Sequence, residues 1–309
     1  LTDNLNKKIV FCKDCIGNDV RKVLENIKIG QIVLLENLRF HKGETKNDYN
    51  FAKELSKYCD IYINDAFSAS HRKHASIDKI TNFLPSGMGK NLEKEIFYLN
   101  KFLKKPKKPL TAIIGGSKME NKISLINSLI KKCNFLILGG GVANTFLKAN
   151  KKNIGNSIYE KKQLNNAIKI QREAKKNSCH IILPEDVIVF DKKPLNINCS
   201  IIKKKHKIFD LGFESIFKIS KIINKSKTVI WSGPLGYFEK KPYDNSTNKI
   251  ASLINSKRKI ISVAGGGDTI AAIKKNKKYK GFNYLSTGGG AFLDWLENYT
   301  LSGIEALRK

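Results

Sequence analysis

The sequence predicts an α/β protein: two Rossmann-like parallel-sheet domains joined by a hinge helix, the first of them incomplete. Three observations predict it. Short apolar runs alternate with amphipathic stretches along nearly all of the 309 residues, the pattern of strands connected through covering helices. Glycine clusters follow the apolar runs repeatedly, at the strand ends where open parallel sheets bind ligands. A Pro/Lys stretch, KKPKKP from Lys104 to Pro109, interrupts this pattern once, just after a helical repeat.

In chain order, QIVLLENL reads as a strand, DYNFAKELSKY as a helix and IYINDAF as a strand, each from its apolar period. NLEKEIFYLNKFL then places Leu92, Ile96, Leu99 and Leu103 at helical spacing. KKPKKP continues neither element, because proline fixes φ and lacks an N–H. Beyond it TAIIGG, NFLILGGG, HIILPED, TVIWSGP, KIISVAGGG and FNYLSTGGG read as strands, with the helices KISLINSLIKK and QLNNAIKIQREAKK among them. The expected divisions are residues 1–90, a linker at 91–106, a sheet domain at 107–285 and a closing segment at 286–309. The first has few strands for a sheet and the chain opens on Leu1, so we expect part of the natural protein to lie upstream.

Lys+Arg outnumber Asp+Glu by 57 to 27, a formal charge of +30. The lysines are scattered as short pairs rather than gathered into a stripe with interleaved aromatics, which argues against a nucleic-acid interface. Such a charge still steers small anions toward the protein. No apolar run is long enough to span a bilayer, and LTDNLNKKIVFCKD is not patterned as a secretory leader; we expect a cytoplasmic protein. Cys12 and Cys15 form a CKDC without the second pair that a zinc site requires. The six cysteines read as reduced thiols.

The chemistry concentrates at the glycine turns Gly115-Gly116, Gly139–Gly141, Gly233, Gly265–Gly267 and Gly288–Gly290. Glycine permits close backbone approach, and the N–H groups of a following helix favour an anion. In IIGGSKMENKI, Lys118 and Lys122 are expected one turn apart on a helix face, either two cations for a polyphosphate or a solvated lysine pair. GGGDT adds Asp268, either a helix cap or a magnesium ligand. WSGPLGYFE adds Glu239, either a solvated surface carboxylate or an acceptor for ribose hydroxyls. LLENLRFHKGE and INDAFSASHRKHAS carry Arg39 and Arg72, two of only six arginines and suited to bidentate contact with carboxylate or phosphate. His71 and His74 flank Arg72; no Ser–His–Asp set assembles from these residues.

Taken together, LLENLRFH, INDAF, SHRKHAS, IIGGSKMENKI, LGGGVANTFL, LPEDV, IWSGPLGYFE, GGGDT and STGGGA resemble the phosphoglycerate kinase family in order and spacing. The resemblance implies a monomeric glycolytic enzyme that moves the acyl phosphate of 1,3-bisphosphoglycerate reversibly to Mg-ADP. It implies that Arg39 and Arg72 bind 3-phosphoglycerate or 1,3-bisphosphoglycerate. It implies that Lys118 follows the transferred group, with Arg72 and Gly290 also at the reacting centre. Gly115, Gly116, Ser117 and Lys122 would contact the ADP or ATP, Gly140 and Gly141 the adenine, and Glu239 the ribose. Gly265, Gly266, Gly267, Asp268 and Thr269 would hold the phosphates, with Asp268 near Mg2+. Neither nucleic acid nor membrane is implied as a partner. Three departures stand out. The family's Arg-Val-Asp-x-Asn-x-Pro strand and Ser-His-x-Gly-Arg-Pro turn have no counterpart, so turnover by these residues alone is expected to be weak. Ser232 replaces an asparagine, and Phe213 replaces a proline, where a local loop change is expected. The rivals are an inactive nucleotide-binding remnant and, from charge alone, a nucleic-acid binder.

Overall fold

The computed structural model describes residues 2–275, 277 and 279–308. The chain forms two compact units. One runs to Ile96 and takes the chain back from Thr300; the other is Phe97–Tyr299.

The first unit contains α1 (Thr2–Leu5), β1 (Ile9–Phe11), α2 (Asn18–Glu25), β2 (Ile32–Leu34), α3 (Lys42–Thr45), α4 (Tyr49–Ser56), β3 (Tyr62–Asn64) and β4 (Ser86–Met88). Its strands pair in parallel, β1 with β2 and β3 with β4. QIVLLENL is a strand only at β2: Asn37 accepts the Arg39 N–H at 3.1 Å and turns the chain into a 3-10 helix at Leu38–Phe40. Asp48 caps α4 by accepting the Phe51 N–H at 2.8 Å. The apolar face of α4, with Phe51, Ala52 and Leu55, then packs on Cys15, Ala75 and Ile80.

Helix α5 (Lys90–Leu103) carries the chain into the second unit, with Leu92, Leu99 and Leu103 buried as their spacing predicts. There follow β5 (Leu110–Ile114), α6 (Ile123–Leu129), β6 (Phe135–Leu138), α7 (Gly140–Ala149), α8 (Leu164–Lys176) and β7 (His180–Ile182). Next come β8 (Asp186–Asp191), β9 (Lys193–Asn198), β10 (Lys207–Leu211), α9 (Phe213–Lys225) and β11 (Thr228–Ser232). The unit ends with α10 (Asn245–Ser256), β12 (Ile261–Gly265), α11 (Gly267–Lys275), β13 (Tyr284–Ser286) and α12 (Gly290–Asn298). Helix α13 (Ser302–Ala306) belongs to the first unit, where the Gly303 N–H donates to the Ser70 carbonyl at 2.7 Å.

Six parallel strands form the main sheet in the order β13-β12-β11-β5-β6-β7. The chain steps outward from β5 to β6 and β7, then resumes at β11 and steps the other way. β5 and β11 are therefore neighbours at a topological switch point, where the following turns diverge and leave a crevice. Trp231, wholly buried on β11, anchors a core shared with Ile113, Ile137, Ile219 and Ile250.

A second, antiparallel sheet, β10-β8-β9, does not fit the all-parallel expectation. The strand β9 reads KPLNIN, with a lysine, a proline and two asparagines, and all but Ile197 is exposed. Its pairing to β8 comes from tertiary context, which overrides weak strand propensity. Phe213, where a local loop change is expected, stands at a helix start. Phe213 opens α9, and its N–H donates to the Asn196 side chain at 3.2 Å, a bond proline cannot make.

At the carboxyl ends of β5, β6 and β11 the glycine turns interlock through their backbones. The N–H groups of Gly115 and Gly116 donate to the carbonyls of Ser232 and Pro234, and that of Gly140 to the carbonyl of Leu235, each at 2.9 Å. A Cβ on Gly115 would lie 2.0 Å from the Pro234 oxygen, and one on Gly141 2.3 Å from the Ser117 oxygen. By contrast a Cβ on Gly267 meets nothing within 4 Å. We therefore expect Gly115→Ala to lower the unfolding free energy by about 3 kcal/mol through overpacking. Gly267→Ala, at a helix start, should stay within about 1 kcal/mol of the parent. Urea denaturation of both variants checks this; equal effects would contradict the interlock.

Candidate active site

The interlocked turns form one wall of a cavity of about 370 Å³ in the second unit. Of the residues singled out in the sequence, Gly116, Ser117, Gly140, Gly141, Glu239 and Asp268 line it together. They come from the turns after β5, β6, β11 and β12, so the switch point is what collects them. Gly140, with φ of 59°, sits over the Gly116 backbone, 2.7 Å from its oxygen to an added Cβ. No other residue type fits that approach.

Gly115 does not line the cavity. Its place is behind the wall, packed on Gly233 and Pro234, where an added Cβ would have no room. Gly265 is likewise a packing position, since a Cβ there would strike the Phe292 ring at 2.2 Å. Thr269 is buried, and its hydroxyl oxygen accepts the Gly233 N–H at 2.6 Å, tying α11 to the turn after β11.

The two lysines do not share a helix face. Lys118 lies in the loop after β5, exposed and next in sequence to Ser117 of the cavity wall, but not itself in the lining. The helical pattern begins two residues after it, as a 3-10 turn at Glu120–Lys122 that leads into α6. The reason is a carboxylate: Glu160 accepts the N–H groups of Met119 and Glu120 and holds the segment before the helix as a loop. Lys122, half-buried, turns back so that its Nζ donates to the Gly115 carbonyl. Burial pushes its pKa down to about 8, against the opposing charge of Asp268.

The helix starts differ in what they offer. At α7, the N–H groups of Gly140 and Val142 are taken by the carbonyls of Leu235 and Gly116. At α11 the N–H groups of Gly267, Asp268 and Thr269, and at α12 that of Gly290, take no hydrogen bond among the described residues. Added Cβ atoms at Gly267 and Gly289 meet open space. Adjacent strands β12 and β13 bring these two starts side by side. Such unsatisfied N–H groups at a helix start are of the kind that favour an anion.

Sequence reasoning missed the opposite wall. Lys207, Phe209, Asp210 and Leu211 of β10, with Asn144, Ile158 and Tyr237, also belong to the lining. Asp210 is buried, and its carboxylate accepts the N–H groups of Ser246 at 3.0 Å and Leu211 at 2.9 Å. Burial nonetheless pushes its pKa up to about 7. The signal available was KIFDLGF, a short alternating run that ends in a glycine like the other strands.

In the first unit Arg39 and Arg72 are both exposed, and among the described residues neither has an acidic partner. The Arg72 Nε donates to His71 at 3.3 Å. Both guanidinium groups act on His74, whose pKa is lowered first by burial and then by their charge, against the pull of Glu44. His74 Nδ1 is 3.5 Å from Glu44, which also accepts the Ser76 N–H at 3.0 Å. The loop carrying Arg72 is thus tethered to α3, close behind Arg39. Among the described residues, two cations without an acidic partner thus flank a histidine whose pKa burial holds below its usual value.

The family model described as Phosphoglycerate kinase matches residues 1–299. A phosphoglycerate kinase from Orientia tsutsugamushi (strain Ikeda) is 45% identical over 98% of this chain and 77% of its own. One from Wolbachia sp. subsp. Drosophila simulans is 44% identical over 100% and 80%. The structure of the Coxiella burnetii enzyme superposes with a TM-score of 0.85 at 35% identity, covering 100% of this chain and 79% of that one. That of the Pyrococcus horikoshii enzyme gives 0.86 at 28% identity, covering 100% and 80%. With the switch-point cavity and its glycine turns in place, these matches establish that the chain belongs to the phosphoglycerate kinase family of phosphotransferases.

Proposed function

We propose that the protein transfers the acyl phosphate of 1,3-bisphosphoglycerate reversibly to Mg-ADP, giving 3-phosphoglycerate and ATP, as a cytoplasmic monomer. The observation that carries this reading is the convergence of Ser117, Gly140, Gly141, Glu239 and Asp268 on one cavity. The second unit binds the nucleotide. Gly140 and Gly141 leave a bare backbone surface for the flat adenine, and the Glu239 carboxylate accepts ribose hydroxyls. The free N–H groups at the starts of α11 and α12, together with Lys122, receive the phosphates. The first unit binds the phosphoglycerate through Arg39 and Arg72.

Asp268 fits a magnesium ion carried by the nucleotide: it is an exposed carboxylate at the cavity rim, the hard oxygen donor that the ion prefers. The metal would neutralise charge on the phosphate oxygens. A phosphoryl group in transfer spreads its charge over three equatorial oxygens, so the residues act by positioning and by donating hydrogen bonds. Lys118, exposed and one residue from the cavity wall, supplies a mobile cation that follows the group. Gly290 offers its N–H to the same oxygens. The surroundings must also exclude water, since hydrolysis of an acyl phosphate competes with transfer.

ATP consumption by the natural protein should depend on 3-phosphoglycerate and should not be supported by glycerate; turnover independent of 3-phosphoglycerate would overturn the assignment. Lys118→Ala should cut kcat by at least about 100-fold while leaving the Mg-ADP dissociation constant within about threefold. Equal losses in both would make Lys118 a ground-state binding residue. Lys122 loses its proton above about pH 8. Mg-ADP affinity should therefore be full below that pH and weaken as pH rises through it. Calorimetric titrations between pH 7 and 9 check the sign, and Lys122→Arg, charged throughout, should flatten the profile.

A further inference from the structure

Cys133 and Cys179 stand at the feet of the neighbouring strands β6 and β7. Their Sγ atoms are 3.4 Å apart, too close for any other atom to lie between them. Both side chains are buried, at 4% and 5% exposure. The backbone holds each in place. The Cys133 N–H donates to the Leu129 carbonyl at 2.8 Å and the Cys179 N–H to the Ala174 carbonyl at 2.9 Å, closing the ends of α6 and α8. Between them the His180 N–H donates to the Asn134 carbonyl at 2.9 Å, pinning the two strand starts together. The register sets Phe135 opposite His180, so Cys179 falls one residue along from Cys133; it is the sulfur-to-sulfur contact at 3.4 Å that brings the pair within a small shift of the bond length of about 2.05 Å that a disulfide needs.

The element carrying Cys179 is the weak margin of the sheet. β7 is an edge strand of three residues, bonded on one side only. Such an edge opens locally at a lower free energy than the sheet centre, which gives a small reagent access to the pair. The Cys133 thiol, by hydrogen-bonding the Cys179 sulfur, lowers the Cys179 pKa against the effect of burial.

We propose that Cys133 and Cys179 are a reversible oxidation site: a small-molecule disulfide converts them to an intramolecular disulfide that staples β7 to β6. Cys179, as the thiolate, attacks one sulfur of the reagent and releases the other half as a thiolate, which takes up the proton Cys179 lost. The Cys133 thiol then loses its proton, attacks the Cys179 sulfur and displaces the second half, which takes that proton. The two cysteines are oxidised by two electrons and one reagent disulfide is reduced to two thiols. Contact between the pair favours ring closure over a lasting mixed disulfide, because the second step is intramolecular.

The test uses oxidised glutathione as the reagent on the folded protein carrying Cys59→Ser, which removes the exposed cysteine. The product should be about 2 Da lighter, and peptide mapping should join Cys133 to Cys179. Reduction with dithiothreitol should restore both thiols, and amide exchange in β7 should slow in the oxidised form. Cys133→Ser in the same background should give no cross-link. The proposal is overturned if both thiols alkylate fully on denaturation after treatment. It is equally overturned if Cys179 stops at a stable glutathione adduct while Cys133 remains free.

Discussion

The site depends on backbone meeting backbone at the carboxyl ends of β5, β6 and β11. Three turns share hydrogen bonds from Gly115, Gly116 and Gly140 to the segment 232–235. Glycine is required there because a Cβ at Gly115, Gly139, Gly140, Gly141 or Gly233 would lie under 3.0 Å from a neighbour. The cavity wall is therefore made of peptide groups whose positions the sheet sets. Dipoles held this way need no rearrangement when charge develops beside them, the condition for electrostatic catalysis.

The charges are placed around this wall rather than on it. Lys122 reaches back through the turn to the Gly115 carbonyl, and its buried position makes its charge sensitive to pH. Asp268 at the cavity rim offsets it. Lys118 is exposed on the loop that Glu160 holds out of the helix. In the first unit burial holds the pKa of His74, packed on Glu44, below its usual value, and among the described residues Arg39 and Arg72 have no acidic partner. The overall charge of +30 then adds long-range attraction for anions, an effect that salt screens.

Much of this was legible before any coordinates. The strands of the main sheet follow apolar runs, all but β7 bounded by glycine, and the buried face of α5 follows the spacing of Leu92, Leu99 and Leu103. What stayed hidden was tertiary in origin. KPLNIN carries no strand signal and is a strand only because β8 offers its edge. Lys118 and Lys122 have helical spacing, but a carboxylate 40 residues away, at Glu160, delays the helix past Lys118. Glycine clusters look alike in sequence, yet Gly115 and Gly265 serve packing while Gly267 and Gly289 stand open. Only the neighbours decide between those uses. Asp210 and Phe209 were overlooked because a five-residue strand before a glycine turn has no chemistry of its own until the sheet faces it toward the cavity.

The central claim is that the nucleotide occupies the switch-point cavity of the second unit. Amide hydrogen exchange with and without saturating Mg-ADP measures this directly. The account expects slowed exchange at 116–118, in the first turns of α7 and α11, and at 236–239, with the strand pairs of the first unit unchanged. Unaltered exchange at those segments, or protection centred on the β8–β9 hairpin or on the Arg39 and Arg72 loops, would contradict it.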